Sequence, residues 1–344
     1  MADASDFENS FHLELDLSDL SDFSDEEFNR LIDLDDVTAA VEEERVSGIP
    51  QERTSSNHHC SRPYFDTVAL IIVYHYPYYE SFPLLRSFYE NGFDRIIVCG
   101  PEANDKFKVM QVSHEKGYWG YECLAKAARL YSNYEGYLQI HDDALFLWWN
   151  VKGTDKNKMW LFGDDVKFEN GILGGPTPTD WHWWRTANIL TRTADAFNEL
   201  RNSPFSWVNQ SFSNFYNNSG GRDSIPTSRA DVWYIPRRLA KKLSYLSSVF
   251  FKHKVFLEAA VPTIMCFLDH LSNVQIRGGL FLSTKYGYGD KRDSAISVWE
   301  NFRSDFPFIH PFKLHGDSTG LNRNILAELI IPYARKLCNK TGPV

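Results

Sequence analysis

No run of eighteen or more apolar residues occurs in this 344-residue chain, so it shows no evident transmembrane helix or signal peptide and reads as soluble. Cysteine is scarce. The five residues Cys60, Cys99, Cys123, Cys266 and Cys338 include no CxxC pair, which argues against a zinc ribbon and a disulfide-dense scaffold. Cys99 and Cys123 read as buried core residues. No GxSxG elbow, Walker loop or GxGxxG loop is present, so no Ser/His/Asp hydrolase and no loop-cradled nucleotide is readable. A dense Lys/Arg stripe is missing as well, and with it any sign of a nucleic-acid binder. There is no internal repeat. Hydrophobic residues make up 43% and aromatics 15%, enough for a sizeable core and too many for a wholly disordered or collagenous chain.

The net charge of −9 conceals a split. Residues 1–53 hold 17 acids against Arg30, Arg45 and Arg53, a net of −14; residues 54–344 hold 28 acids and 33 bases, a net of +5. Residues 1–62 therefore read as an acidic, largely disordered tail, with one helix from about residue 25 to 44. A capping-box pattern, Ser24 and Glu27, and a shared face of Phe28, Leu31 and Ile32 support that helix. The alternative for the tail is a docking segment for a basic protein partner. Residues 63–344 form the folded body, whose mildly basic balance suits a phosphorylated small molecule.

The body opens with a continuous β-branched run over 67–74 (TVALIIVY), the pattern of a strand buried on both faces. Helical spacing over 81–91 follows, then a second buried strand over 95–99 (RIIVC). Strand, helix, strand in so short a span is a βαβ unit and implies a parallel sheet. A helix over 121–131 leads to a third strand, 136–140, which runs into His141-Asp142-Asp143. Beyond that, short strands are expected at 159–162 and 230–234, and helices at 236–246, 258–271 and 322–338.

Ligands of open α/β sheets bind at the carboxyl ends of strands. Two adjacent carboxylates exposed there repel each other unless a cation or donor network holds them, and Mg²⁺ or Mn²⁺ is the natural partner. The bland alternative is an aspartate capping a turn. Lys313, just past the aromatic strand end at Phe308-Ile309-His310-Pro311, is either a point charge for a phosphate or a solvated lysine. His310 is a metal-ligand candidate, since neutral imidazole can join carboxylates on Mn²⁺, and His315 is a second, weaker one. Glu258 opens an apolar helix, where the macrodipole favours a negative charge. Asp231 reads as a contact for a bound hydroxyl or, in the favoured reading, as a partner of Arg229 or Arg237. Trp181 and Trp183, beside Trp184, offer flat faces to a sugar ring or else pack in the core; Trp148 and Trp149 read as core. Arg62, Lys116 and Arg129 are candidates for a diphosphate. Sequons begin at Asn209, Asn217 and Asn339 and matter only in the secretory pathway.

A buried first strand, a βαβ start and a strand ending in paired acids resemble the nucleotide-sugar domain of GT-A glycosyltransferases. The phrases VYHYPYY, IIVCGPE, YLQIHDDALFLWW, ADVWYIP, FLEAAVP and FPFIHPFKL are similar to the C-terminal domain of plant STELLO proteins, over most of residues 66–316. The resemblance implies a GT-A-like (Rossmann-like), mostly parallel sheet flanked by helices. It implies Asp143 as metal ligand, with His310 as a further one, Asp142 as a ribose or outer contact of the donor, and Glu258 as general base if the reaction inverts. His-Asp-Asp stands where many members carry Glu-Asp-Asp or Asp-x-Asp, so the first acidic contact is absent or moved.

The expected function is metal-dependent transfer of a sugar from a nucleotide-diphosphate donor to a hydroxyl of a glycan or other acceptor. Two alternatives stand beside it: a non-catalytic binding or scaffolding protein that assists other glycosyltransferases, and a nucleotidyltransferase. By resemblance the compartment is the Golgi lumen; the missing anchor leaves the cytoplasm open.

Overall fold

The computed structural model describes residues 63–282, 302–315 and 320–340. The acidic tail and its expected helix lie outside them, as does Arg62.

Strand β1 (Phe65–Val73) is followed by α1 (Phe82–Tyr89) and β2 (Phe93–Gly100). A two-residue β3 (Met110–Gln111), α2 (Tyr121–Leu130) and β4 (Gly136–His141) come next. The strand expected to be third is thus the fourth. The chain continues through β5 (Leu145–Phe146), β6 (Met159–Phe162) and β7 (Lys167–Ile172). Two helices follow, α3 (Ile189–Arg201) and α4 (Ser206–Ser219), then β8 (Ser224–Thr227) and β9 (Val232–Pro236). Helices α5 (Ala240–Lys252) and α6 (Leu257–Leu268) precede β10 (Val274–Arg277), β11 (Leu280–Phe281) and β12 (Phe308–His310). The carboxyl-terminal stretch is helical, Leu321–Ile325 and Ile331–Lys340, with a π-helical turn between them.

Seven strands form one sheet in the order β10-β6-β9-β4-β1-β2-β3. All are parallel except β9, which runs opposite to β4 and β6 on either side of it. The expected α/β class with a mostly parallel sheet flanked by helices is what the chain adopts. Alternation along β1 shows why the run is apolar throughout. Ala69, Ile71 and Val73 enter one core, and Val68, Leu70 and Ile72 the other, so neither face can be polar.

Two consequences of this topology place the site. From β1 the chain moves to β2 on one side and later to β4 on the other, which opens a crevice at the carboxyl ends of β1 and β4. Because β9 is reversed, its beginning lies at that same edge, and the His141 amide donates to the Asp231 carbonyl at 3.0 Å.

One expectation needs correction. Cys99 and Cys123 are fully buried, as a core reading requires, but they are also bonded to each other as a disulfide. The bond ties the end of β2 to the first turn of α2.

Candidate active site

Asp142 and Asp143 leave the end of β4 and are only 5% and 4% exposed. Carboxylates so buried must be compensated, and the surroundings supply the means. Register pairs Val73 of β1 with His141 of β4, so the residue after Tyr74 arrives opposite the acids. That residue is His75. Its backbone amide donates to Asp142 Oδ1 at 3.2 Å, and its Nδ1 lies 2.8 Å from the same oxygen. An ionised carboxylate only accepts, so Nδ1 carries the hydrogen.

Strand β12 closes the opposite side. It pairs antiparallel with β5, and the Phe312 amide donates to the Asp143 carbonyl at 2.6 Å. This seats His310 Nε2 at 3.3 Å from Asp143 Oδ1 and Lys313 Nζ at 2.9 Å from Oδ2. His315 Nδ1 stands 3.8 Å from Asp142 Oδ2, its ring stacked on Tyr78. Asp231 faces two imidazoles, His141 Nδ1 and His310 Nε2, each at 3.6 Å. The favoured pairing of Asp231 with Arg229 or Arg237 is therefore not what forms: Arg229 reaches Asp164 instead, at 3.3 Å. The reversal of β9 turns Asp231 into the crevice, away from the surface.

The electrostatics follow. Burial alone would raise the Asp143 carboxyl, but His75, His310 and Lys313 outweigh it and hold it well below the usual range. Asp231, opposed by burial yet facing His310 and His141, falls to about 2. Burial works against a charge on His310, while Asp231 and Asp143 overcome it and lift the imidazole to about 9. Glu258 goes the other way: burial, with Asp231 adding repulsion, pushes it up to about 8. Two carboxyls in one neighbourhood thus differ in opposite directions, the pattern of an ionised group beside a proton-holding one.

Glu258 sits in the first turn of α6, and its carbonyl accepts from the Ser228 amide at 3.0 Å. Two positions earlier, Phe256 stacks on Trp183 at 4.7 Å and meets Trp181 at 5.9 Å. Both tryptophans are half-buried; Trp184 is in the core. The aromatic pair therefore flanks the start of the Glu258 helix, while the Asp143 cluster lies at the strand ends. Arg129 is paired with Glu122 at 2.6 Å, which takes it away from a diphosphate role. Lys116 is exposed on the loop before α2.

That loop, from which the sequence offered only Lys116 as a candidate, is a wall of the site. Gly117 has φ +82°, and a Cβ there would run into the His75 ring, so only glycine fits. Gly120 lies against Val73, and its Cβ would come within 3.5 Å of His141 Nε2. The Tyr118 carbonyl accepts from the Leu257 amide at 2.9 Å, tying the loop to α6. His114 is fully buried, accepts from the Gly117 amide through Nδ1, and is lowered to about 4 by burial and by His141. His75 was an omission. It follows a buried parallel strand as Asp142 does, and that placement was the signal that could have found it.

His75, Asp142 and Asp143 each offer one ligand atom, all within 4.8 Å of one another. Asp143 Oδ1 is buried without a well-formed hydrogen bond, and the donor set is oxygen and imidazole. Both features fit Mn²⁺ or Mg²⁺. To join as a ligand, His310 must first release the proton its acidic neighbours favour.

No family model matches the chain. It is 20% identical over 257 residues to a protein of Arabidopsis thaliana described as "Probable glycosyltransferase STELLO2", and 20% identical over 259 residues to "Probable glycosyltransferase STELLO1" of the same plant. Each match covers 74% of this chain, and the chain spans about a third of the length of these relatives, 31%. The resemblance read from the sequence phrases is thus borne out as a likeness. Among solved structures, the mannosyltransferase Ktr4p of S. cerevisiae aligns over 69% of this chain and 77% of its own, at 11% identity and a TM-score of 0.32, too slight a likeness to argue from.

Proposed function

We propose that this chain transfers a sugar from a nucleotide-diphosphate donor to a hydroxyl of a glycan or another acceptor. The observation that carries this reading is the convergence of His75, Asp142, Asp143, Asp231, His310 and Lys313 at the β1/β4 crevice, from the ends of four strands, β1, β4, β9 and β12. The similarity to proteins described as glycosyltransferases supports it.

Asp143, with His75, Asp142 and His310 around it, would hold a divalent cation, which when bound neutralises charge on the leaving diphosphate. Asp142, fixed by His75, presents its second oxygen to the donor. Lys313 supplies a point charge for phosphate. Trp181 and Trp183 give apolar faces to an acceptor ring. Glu258, with its raised pKa, takes the proton of the attacking hydroxyl, and a single displacement of this kind inverts the anomeric centre.

The test is thermal stabilisation of the protein by UDP or GDP in the presence and absence of Mn²⁺. A metal-dependent rise that vanishes in Asp143→Ala is expected. No rise with any nucleotide would overturn the proposal in favour of the non-catalytic scaffold. One observation favours that second reading: each oxygen of Asp142 and Asp143 already faces a nitrogen. Release of pyrophosphate in place of a nucleoside diphosphate would instead identify a nucleotidyltransferase. As to compartment, the Cys99–Cys123 bond suits an oxidising one, in line with a lumenal enzyme.

A further inference from the structure

Of the side-chain nitrogens around the paired aspartates, three belong to imidazoles and one to an amine. His75 Nδ1 lies 2.8 Å from Asp142 Oδ1, His315 Nδ1 3.8 Å from Oδ2, and His310 Nε2 3.3 Å from Asp143 Oδ1. The fourth, Lys313 Nζ, lies 2.9 Å from Asp143 Oδ2. A neutral imidazole can stay beside a bound cation and even ligate it. An ammonium cannot: it is itself a compact cation, without a lone pair, on an oxygen a divalent ion also seeks.

Resting on the reading of this crevice as a donor and metal centre, we infer that Lys313 is an internal counter-cation of Asp143, displaced from Oδ2 on metal binding and turned onto the phosphate oxygens of the nucleotide. The local structure allows only the side chain to make this move. Phe312 is buried and its amide is held by the Asp143 carbonyl, and Asn322 Nδ2 donates to the Lys313 carbonyl at 2.7 Å. The backbone is thereby pinned on both sides. The Lys313 side chain, 23% exposed, has four rotatable methylenes between that anchor and its head.

A thermodynamic consequence separates this role from a plain phosphate contact. Displacing the ammonium opposes metal binding when no nucleotide is present, and the new phosphate contact repays that loss when one is. Metal and nucleotide therefore bind with positive, reciprocal coupling that runs through Lys313. Removing the ammonium leaves a buried carboxylate compensated by His75 and His310 alone, which strengthens its demand for a cation.

The experiment measures Mn²⁺ affinity by electron paramagnetic resonance, and UDP affinity by calorimetry with and without Mn²⁺. It uses the full chain and its Lys313→Met and Lys313→Arg forms. Expected for Lys313→Met are Mn²⁺ binding about tenfold or more tighter in the absence of UDP, and coupling between Mn²⁺ and UDP weaker by a similar factor. Lys313→Arg, which keeps the charge, should stay near wild type in both. Lys313→Gln serves if the methionine form does not fold, with the same expectation. Unchanged or weaker Mn²⁺ binding in Lys313→Met, with wild type binding normally, overturns the counter-cation role and leaves the metal centre standing. No Mn²⁺ binding by any form, with or without UDP, overturns the metal centre and this inference with it.

Discussion

Glu258 occupies a position where two local forces disagree. The first turn of α6 favours a negative charge through the helix dipole, whereas burial and the neighbouring Asp231 disfavour it. The second pair wins, and the carboxyl is lifted from 4.5 to about 8. At neutral pH the group holds its proton, so a base role requires pH to climb through that value. The expected profile of kcat/KM rises with pH and levels above about 8. Glu258→Gln should lose this limb and lower kcat by about 10²- to 10⁴-fold, as initial rates across the pH range would show. Stability has its own sign. The folded chain keeps a proton that the unfolded chain releases between 4.5 and about 8, so this residue's contribution is full below that window and is lost as pH rises through it. The gap in thermal midpoint between wild type and Glu258→Gln should therefore shift against wild type on going from acid to mildly alkaline pH. A flat gap would show that the carboxyl titrates normally.

The elements nearest the site were the most legible, for a physical reason. Strands β1, β2 and β4 are buried on both faces, and such strands must be written as unbroken apolar runs, which marks their carboxyl ends and so the acids of β4. Helix α4 was hidden because asparagine, serine and aromatics dilute its helical signal, whereas α3 carries Ile189, Leu190, Ala196, Phe197 and Leu200 at helical spacing, a signal that went unread. Both form on tertiary packing, as in the contacts of Phe197, Phe212 and Phe215 with Phe267 of α6. Asp231 was misjudged because its environment is set by the reversal of β9, a fact of topology that no local pattern carries. The disulfide was equally invisible, since a separation of 24 residues and no paired motif gave no cue. Its loop carries His114, Gly117 and Tyr118, one wall of the site. Closing a loop of 24 residues contributes roughly 3 kcal/mol through the unfolded chain. Changing both Cys99 and Cys123 to alanine should remove about that much in denaturant unfolding. Reductant should then destabilise wild type more than the double variant, by a similar amount. A wild-type curve indifferent to reductant would show that the bond is absent.

At the scale of the whole chain, charge divides sharply between the first 53 residues and the rest. Among the described residues, both cores and all seven strands of the main sheet are drawn from 65–334, while residues 1–53 carry a net of −14. The high density of acids in that segment opposes its burial in a core, and the remainder, net +5, holds the buried runs and the crevice residues named above. A fragment spanning 54–344 should accordingly fold, reverse its behaviour at pH 7 from binding an anion exchanger to binding a cation exchanger, and retain the Mn²⁺-dependent stabilisation by UDP. Ion-exchange elution and a thermal melt with and without UDP check the three outcomes together. If the fragment folds and elutes as expected but loses the nucleotide effect, the acidic segment takes part in the donor site. If it fails to fold, the two cores are not self-sufficient, and the division drawn from charge is wrong.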